Sequence, residues 1–230
     1  KANINITDLL IGRRSYSAFY YDGKISNFQV FNSALPATGS NSVETLYNNG
    51  SPLTSMSGFT SLQGSWKLDA SATYDSSTTT WTIPDDSSNS NDGTSSGMTQ
   101  SALQQSDLSF KTSYSPYALL LDGTDDYIDC GSTSLSSNSG TVAAWIKSTN
   151  TSSFQMIIGK TTGGGGNDQF MLRTETNGKV RLFLYHNSTY TLLDSTDTVL
   201  DGNWHHVAFT YNSSGINIYI DGFVSGINTT

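Results

Sequence analysis

Charged side chains and cysteine are scarce in this chain of 230 residues. Charged residues make up only 13% of the sequence, and the formal net charge is -8. A protein that binds nucleic acid needs a basic stripe to neutralise phosphates. No such stripe exists here, so nucleic acid is not an expected partner. Cys130 is the only cysteine, which excludes an intrachain disulfide. Its neighbours Asp126 and Asp129 would raise the pKa of its thiol, so we expect a buried filler rather than a nucleophile.

Long apolar runs are also missing. None is long enough to span a bilayer, and no signal peptide is recognisable, so membrane insertion is not expected. The chain begins with Lys1, as expected of a processed product or of a window onto a longer protein. Ser, Thr and Asn are abundant instead, together with 21 Gly and 11% aromatic residues. This composition suits short strands that are joined by many turns.

The clearest local pattern lies between Asn203 and Gly222. Residues 204–211 alternate with apolar side chains on both faces, and the isoleucines of 216–220 alternate with polar residues. A polar segment, 212–215, separates the two stretches. A period of two indicates strands, so the pattern predicts a β-hairpin. Because its first strand is apolar on both faces, we expect that strand inside a sheet.

Similar short strand patterns, separated by turn residues, recur along the chain. They lie at 9–11, 19–31, 65–68, 80–83, 118–121, 127–130, 141–147, 154–159, 169–173, 180–185 and 190–193. Asn41-Ser-Val-Glu44 has the pattern of a capping box and predicts one short helix near residues 41–48. We interpret residues 51–113 as a Ser/Thr-rich insert that carries the first strands. Strands at this spacing, with no helical period between them, predict an all-β antiparallel sandwich or barrel.

Three segments, taken in order, closely resemble the laminin G-like, concanavalin A-like jelly-roll family. They are Asp122–Asp129, Thr141–Lys147 and Trp204–Gly222. The resemblance implies an antiparallel two-sheet jelly-roll sandwich. Residues 1–50 resemble the end of such a domain, and residues 66–68 and 86–93 resemble its opening. The order of the family pattern is therefore rotated in this chain.

The main strands of residues 114–230 stop where the family still requires two or more core strands. Residues 1–50 carry the matching pattern, and they could complete the sandwich within the same chain. They could instead complete an upstream tandem copy, or the missing strands could come from a neighbouring protomer. An unfinished sandwich exposes strand edges and apolar faces, so one of these closures is required. We favour closure within the chain.

Catalytic carboxylates are scarce. Relatives of this jelly roll that cleave glucans place two carboxylates close together on one strand. The chain has only two glutamates, Glu44 and Glu175, and neither has a carboxylate partner at strand spacing. We therefore expect no enzyme activity. His205 and His206 are adjacent in a strand, so they point to opposite faces and cannot easily share one metal ion. A role in packing and hydrogen bonding is the expectation for both.

Oxygen ligands suited to calcium are dense in two segments, 85–92 and 122–126. The candidate ligands are Asp86, Asn91, Asp92 and Asp126, with further oxygens on Asp85, Asn89, Asp122 and Asp125. Members of this fold often hold a calcium ion near a sheet rim, so the resemblance implies calcium as a cofactor. The alternative is that these residues form Asx-turns.

Exposed aromatic residues are the candidates for contact with sugar. They are Tyr185, Tyr190 and Trp81, with Tyr16 and Tyr20 also available, and the alternative for all of them is packing at the sheet rim. The resemblance implies a non-enzymatic structural or adhesion module on a virion surface, such as a phage decoration or fibre protein in tandem copies. Its partners would be other virion proteins, further copies of itself or cell-surface glycans, and its location the virion surface or the extracellular space. The alternative function is a carbohydrate-binding module of a secreted bacterial enzyme or adhesin.

Overall fold

The chain folds mainly into antiparallel β-strands. A computed structural model describes residues 9–14, 17–108, 116–133, 138–160, 169–186 and 189–229, and all of their side chains except those of residues 17, 18, 160, 169, 185, 186 and 189. The strands are β1 (Leu10–Ile11), β2 (Arg13–Arg14), β3 (Ser17–Tyr20), β4 (Asp22–Phe31), β5 (Leu62–Trp66), β6 (Thr73–Asp75), β7 (Thr80–Ile83), β8 (Gly93–Ser96), β9 (Leu103–Gln105), β10 (Tyr117–Asp122), β11 (Tyr127–Asp129), β12 (Gly140–Lys147), β13 (Gln155–Lys160), β14 (Gln169–Thr174), β15 (Lys179–His186), β16 (Thr189–Thr198), β17 (His205–Asn212), β18 (Gly215–Ile220) and β19 (Phe223–Asn228).

These strands form two large sheets. In the described part of the chain, one sheet has nine strands in the order β16-β15-β14-β13-β1-β11-β8-β7-β6. The other has eight: seven follow the order β19-β18-β17-β12-β4-β10-β9, and β5 pairs beside them with β4. Strands β2 and β3 form a small ribbon of their own. The predicted all-β antiparallel sandwich is confirmed.

Two strands of the first fifty residues, β1 and β4, lie in the interior of the two large sheets. Leu10 of β1 lies opposite Asp129 of β11 on one side and Gly159 of β13 on the other. The ten-residue strand β4 pairs with β10 and β12, and Val30 lies opposite Val142. Both large sheets would therefore be divided if this segment were removed.

The main hydrophobic core fills the space between the two sheets. Its largest fully buried side chains include Trp66, Phe28, Phe170 and Phe209. Strand β17 shows why the hairpin pattern is apolar on both faces. Its residues Val207 and Phe209 point into this core, whereas Ala208 points to the outer face. The predicted hairpin is confirmed, because β17 pairs with β18 and the turn closes between Asn212 and Gly215.

A second, smaller core covers the outer face of the eight-stranded sheet. The helix α1 (Val43–Tyr47) and the segment that follows it pack there. Val43 and Leu46 are buried, against Phe31 and Ala208 among others. The predicted short helix is confirmed, but its cap is not Asn41. The hydroxyl of Ser42 accepts a hydrogen bond from the N–H of Thr45 at 3.0 Å, and Ser42 is therefore the N-cap.

Helix α1 is much too short to cross a membrane. Among the described residues, no helix has the length and apolar character that a membrane span requires.

Candidate functional site

The loop between β10 and β11 holds three carboxylates close together. One oxygen from each of Asp122, Asp125 and Asp126 lies within 4.8 Å of the others. The chain places them there because the loop is a tight turn. The carboxylate of Asp122 accepts the N–H of Thr124 at 2.8 Å, and the carboxylate of Asp126 accepts the N–H of Asp122 at 3.0 Å. The set offers hard oxygen ligands of the kind that calcium prefers.

The electrostatics of this acidic cluster show a shortage of positive charge. Asp126 is buried, and its pKa is raised to about 6 by that burial and by the negative charge of Asp122. A divalent cation would relieve both effects, so the residues present fit a calcium ion. Asp122 and Asp125 are exposed, which leaves the cluster open to solvent on one side.

The carboxylates of the other acidic segment have partners within their own turn and in or beside β5. Asp85 is buried and accepts hydrogen bonds from the N–H groups of Ser65, at 2.8 Å, and Asn91, at 2.9 Å. Asp92 accepts the N–H of Asp85 at 2.9 Å, and Asp86 pairs with a lysine, Lys67, at 2.8 Å. The carboxylate of Asp85 also accepts the N–H of Ser87, two residues later, at 2.9 Å, and this is the Asx-turn that is the alternative to a metal site.

The structure does not bring the four predicted calcium ligands together. Asp92 directly precedes β8, whereas Asp126 directly precedes β11, and Tyr127 of β11 pairs with Ser96 at the far end of β8. With a rise of about 3.3 Å per residue, a strand of this length separates the two groups by roughly 10 Å. Of the four, only Asp126 lies in the cluster of three carboxylates.

The aromatic residues predicted to contact sugar have different surroundings. Trp81 is buried in the core, its indole N–H donates to the carbonyl of Thr99 at 2.9 Å, and its ring packs against Tyr74. Its ring face is therefore not available to a ligand. Tyr190 is 64% exposed on the edge strand β16 and packs against Phe183. The side chain of Tyr185 lies outside the described part of the structure.

A groove on the outer face of the eight-stranded sheet combines aromatic and polar side chains. Its volume is about 260 Å³. We call it the aromatic groove, and its lining residues are Tyr47, Gly50, Asp107, Leu108, Trp145, Lys147, Asn203, Trp204 and Asp221. Four separate parts of the chain meet there: the end of α1, the segment after β9, the end of β12, and the hairpin region. None of its residues was among the predicted ligand contacts.

Hydrogen bonds hold the polar side of the aromatic groove in place. The indole N–H of Trp204 donates to one carboxylate oxygen of Asp107 at 2.8 Å, and the ammonium of Lys147 donates to the other. These bonds lower the pKa of Asp107, the one from Lys147 most strongly. Asp107 therefore stays ionised and fixed in position, although its side chain is 62% exposed.

The aromatic side of the groove is built by stacking. The ring of Tyr47 lies 5.7 Å from that of Trp145, with an angle of 23° between them. Trp145 is almost completely buried, so Tyr47 and Trp204 present the accessible rings. Gly222, with a φ of 82°, permits this arrangement, because a Cβ there would lie 2.8 Å from the Tyr47 ring.

The two adjacent histidines have opposite surroundings, as predicted for a strand. The ring of His205 lies between two carboxylates, 2.8 Å from Asp221 and 3.1 Å from Asp201. The hydrogen bond to Asp221 is the main reason that its pKa is raised. His206 is fully buried, and burial lowers its pKa to about 4, so its ring is neutral. Neither of its ring nitrogens has a hydrogen-bond partner among the described residues.

Both glutamates have structural surroundings. The carboxylate of Glu175 pairs with Arg173 at 2.7 Å and with Arg181 at 3.2 Å, and only 16% of its side chain is exposed. Glu44 lies in the first turn of α1, where a negative charge suits the helix dipole. Glu175 lies in the turn between β14 and β15, whereas Glu44 lies in α1. They do not form the paired carboxylates of a glycosidase.

The lone cysteine lies in the core. Cys130 directly follows β11 and is completely buried. Burial, together with the charges of Asp129 and Asp85, raises the pKa of its thiol well above the ordinary value. A thiol in this state is a poor nucleophile, because very little thiolate forms at neutral pH.

A family model matches slightly less than half of the chain. Residues 122–230 match the family model Laminin_G_3, the concanavalin A-like lectin/glucanases superfamily. Neither the search of curated proteins nor the search of solved structures found a match. The matched segment runs from the acidic cluster through β11 and the hairpin to the end of the chain. The two-sheet antiparallel sandwich is thus a concanavalin A-like fold, and residues 122–230 carry the similarity to that superfamily.

Proposed function

We propose that this chain is a non-catalytic module that binds carbohydrate. The observation that carries the proposal is the match of residues 122–230 to a superfamily of lectins and glucanases. A module of this superfamily fits a carbohydrate-binding or a structural role. The surroundings of the two glutamates favour the lectin side of the superfamily over the glucanase side. Glu175 is neutralised by two arginines, and Glu44 lies on a different element, in the first turn of α1.

We also propose one sandwich made from three segments. Residues 1–50 would supply the strands and short helix that end the family's domain, residues 51–113 an insert with the first strands, and residues 114–230 the main strands. The pairing of β1 with β11 and β13, and of β4 with β10 and β12, supports this division.

The proposed place of the module is a surface outside the cell. The sequence resemblance favours a virion surface, where the module would act as a phage decoration or fibre protein beside further copies of itself. A carbohydrate-binding module of a secreted bacterial enzyme or adhesin is the alternative. Electron microscopy of purified particles, with labelled antibody against the chain, separates the two. Label on the particles supports the virion role, and its absence from them supports the alternative.

A calcium ion at the acidic cluster is part of the proposal. Asp122, Asp125 and Asp126 would hold it, and the ion would offset the mutual repulsion of their charges. Its expected role is to fix the loop between β10 and β11. It carries no step of any reaction, because none is proposed.

A glycan array tests the function and the cofactor together. The protein is applied to neutral, amino and anionic glycans, once with calcium and once with EDTA. Binding to any glycan supports the carbohydrate-binding role, and loss of binding in EDTA supports calcium as a requirement for it. Binding to none under either condition contradicts the carbohydrate-binding role. A reducing-sugar assay on bound glycans accompanies the array, and release of product would contradict the non-catalytic assignment.

A further inference from the structure

The aromatic groove has the composition of a small ligand site. Ligand pockets usually combine apolar and aromatic walls with a few fixed polar groups that set orientation. Tyr47 and Trp204 supply accessible rings here, and Asp107 and Lys147 supply polar groups that are held by hydrogen bonds. The volume of about 260 Å³ lies just below the range of drug-sized pockets. It therefore suits one ring-sized ligand or the end of a longer chain.

The polar groups in the groove favour hydroxyl-rich ligands. The carboxylate of Asp107 accepts hydrogen bonds, the ammonium of Lys147 donates them, and the amide of Asn203 does both. A sugar hydroxyl can donate and accept at once, so it matches such a mixed set. An aromatic ring can pack against the apolar C–H face of a sugar while the hydroxyls reach the polar side. One wall of this groove is aromatic, and the other is polar.

The charges in the groove disfavour anionic ligands. Asp107 and Asp221 are both acidic, and the positive charge of Lys147 is already paired with Asp107. The net charge of the whole chain, -8, adds a repulsive field for anions. A sugar with a carboxylate or sulfate group would therefore meet repulsion, and the described residues that line the groove offer it no unpaired cation.

A buried polar group adjoins the groove. His206 is fully buried, and neither ring nitrogen has a partner among the described residues. Its ring contacts two rings that line the groove, Trp145 at 5.3 Å and Tyr47 at 6.2 Å between centroids. A buried polar group without a partner costs free energy, and such groups in folded proteins call for a functional or structural reason. His206 does not itself line the groove, so its contribution is to pack against the two rings of the aromatic wall.

From these observations we propose that the aromatic groove binds one uncharged or amine-bearing sugar residue, with Trp204 and Tyr47 against its C–H face and Asp107 on its hydroxyls. This proposal rests on the carbohydrate-binding function proposed above and locates it on this face. The edge strand β16, where the exposed Tyr190 lies, is then not the binding surface.

The test compares Trp204→Ala with Tyr190→Ala. Tyr190 is the more exposed ring, so its removal is a matched control for loss of a surface aromatic side chain. Affinity for the best neutral or amino glycan on the array is measured by calorimetry for wild type and both variants. We expect Trp204→Ala to weaken binding at least about tenfold, the size of effect that corresponds to roughly 1.4 kcal/mol, and Tyr190→Ala to leave it unchanged.

Two further variants distinguish a loss of binding from a loss of folding. Trp204→Phe keeps a ring but removes the N–H that fixes Asp107, and Asp107→Asn changes an exposed side chain. Each should weaken binding while the far-UV circular dichroism stays that of wild type.

The outcomes separate this proposal from the function on which it rests. If wild type binds a glycan and all three groove variants bind it equally well, the groove is not the site, although the function stands. If wild type binds only anionic glycans, the proposed ligand class is wrong. If wild type binds no glycan, the carbohydrate-binding function itself fails.

Discussion

Replacing Phe28 with alanine should destabilise the protein severely. Phe28 lies in β4, the strand of the first fifty residues that enters the eight-stranded sheet, and its side chain is completely buried. Its ring lies 6.0 Å from that of Trp66. Deleting a buried phenylalanine ring costs about 3–5 kcal/mol, from lost burial and from the cavity that remains. Strand β4 is paired on both edges, with β5 and β12, so the backbone cannot easily move into the cavity.

We therefore expect a loss of about 4 kcal/mol, a large part of the 5–15 kcal/mol that is typical of folded domains. Urea unfolding, followed by tryptophan fluorescence and by circular dichroism, measures it as a lower midpoint at an unchanged slope. Phe223→Ala is the matched control, because Phe223 is 72% exposed and its loss should change stability by less than about 0.5 kcal/mol. A loss below about 1 kcal/mol for Phe28→Ala would refute the central position of β4.

The same experiment distinguishes how the sandwich is closed. If β4 pairs within its own chain, the unfolding midpoint is independent of protein concentration. If β4 came from a neighbouring protomer, dissociation would accompany unfolding, and the midpoint would rise with concentration. We expect no dependence over a hundredfold range of concentration.

Three further predictions concern the cluster, the helix and the histidine. The pKa of Asp126 is raised from its ordinary value near 3.8 to about 6 in the folded protein, so the ionisation of Asp126 lowers the stability of the fold as the pH rises from 3.8 through 6. Asp126→Asn should therefore raise the melting temperature at pH 7 without calcium. Millimolar calcium should raise the melting temperature of wild type more than that of the variant. Ser42→Ala should lower stability by about 1 kcal/mol in urea titrations, since it removes the N-cap of α1, and an unchanged midpoint would contradict that role. Because the pKa of His205 is raised, its bonds to Asp221 and Asp201 stabilise the fold fully below pH 6.5, and this stabilisation is lost as the pH rises through the pKa of His205 in the folded protein. The difference in stability between wild type and His205→Ala should therefore shrink at alkaline pH. A difference that grows at alkaline pH would contradict this role of His205.

Most of the fold is predictable from the alternation of apolar and polar residues in the strands. Alternation in residues 204–211 predicts a strand buried on both faces, and β17 has one face in each hydrophobic core. The same reasoning finds the hairpin turn at Asn212–Gly215. These features are local: period and turn residues depend only on neighbours in sequence. Ile25, Phe28 and Val30 are apolar residues of the strand pattern at 19–31, and all three are fully buried.

Side-chain partnerships over long sequence distances could not be read in this way. Trp81 lies in a short strand pattern within the Ser/Thr-rich insert, where an aromatic residue is expected at the surface, but its N–H donates to the carbonyl of Thr99 inside the fold. The dense run of acidic residues at 85–92 resembled metal ligands, but the backbone N–H groups of the turn itself take up the carboxylate of Asp85. The segment that does bring three carboxylates together is the shorter one at 122–126.

The aromatic groove was missed for the same reason. Tyr47, Asp107 and Trp204 are each far from the others in sequence, and Trp204 donates to Asp107 across a separation of 97 residues. A weak signal did exist. Trp145 lies in β12, and Trp204 directly precedes β17. These two strands pair along seven residue positions, with Trp145 opposite His206. Given that register, a second tryptophan just before β17 must lie near the first.

The position of Tyr47 links the closure of the sandwich to the proposed binding site. This ring comes from the end of α1, which follows β4 in the chain and packs on the outer face of the eight-stranded sheet. The helix reaches that face only because β4 is inserted in the sheet, with β12 on one edge and β5 and β10 on the other. The remaining rings of the groove, Trp145 and Trp204, come from the later strands. Docking of the first fifty residues is therefore a condition for an intact groove, and loosening that segment should weaken ligand binding before it unfolds the sandwich. By the same linkage, a sugar that binds the groove must stabilise the docked segment against unfolding, to an extent set by its affinity and concentration.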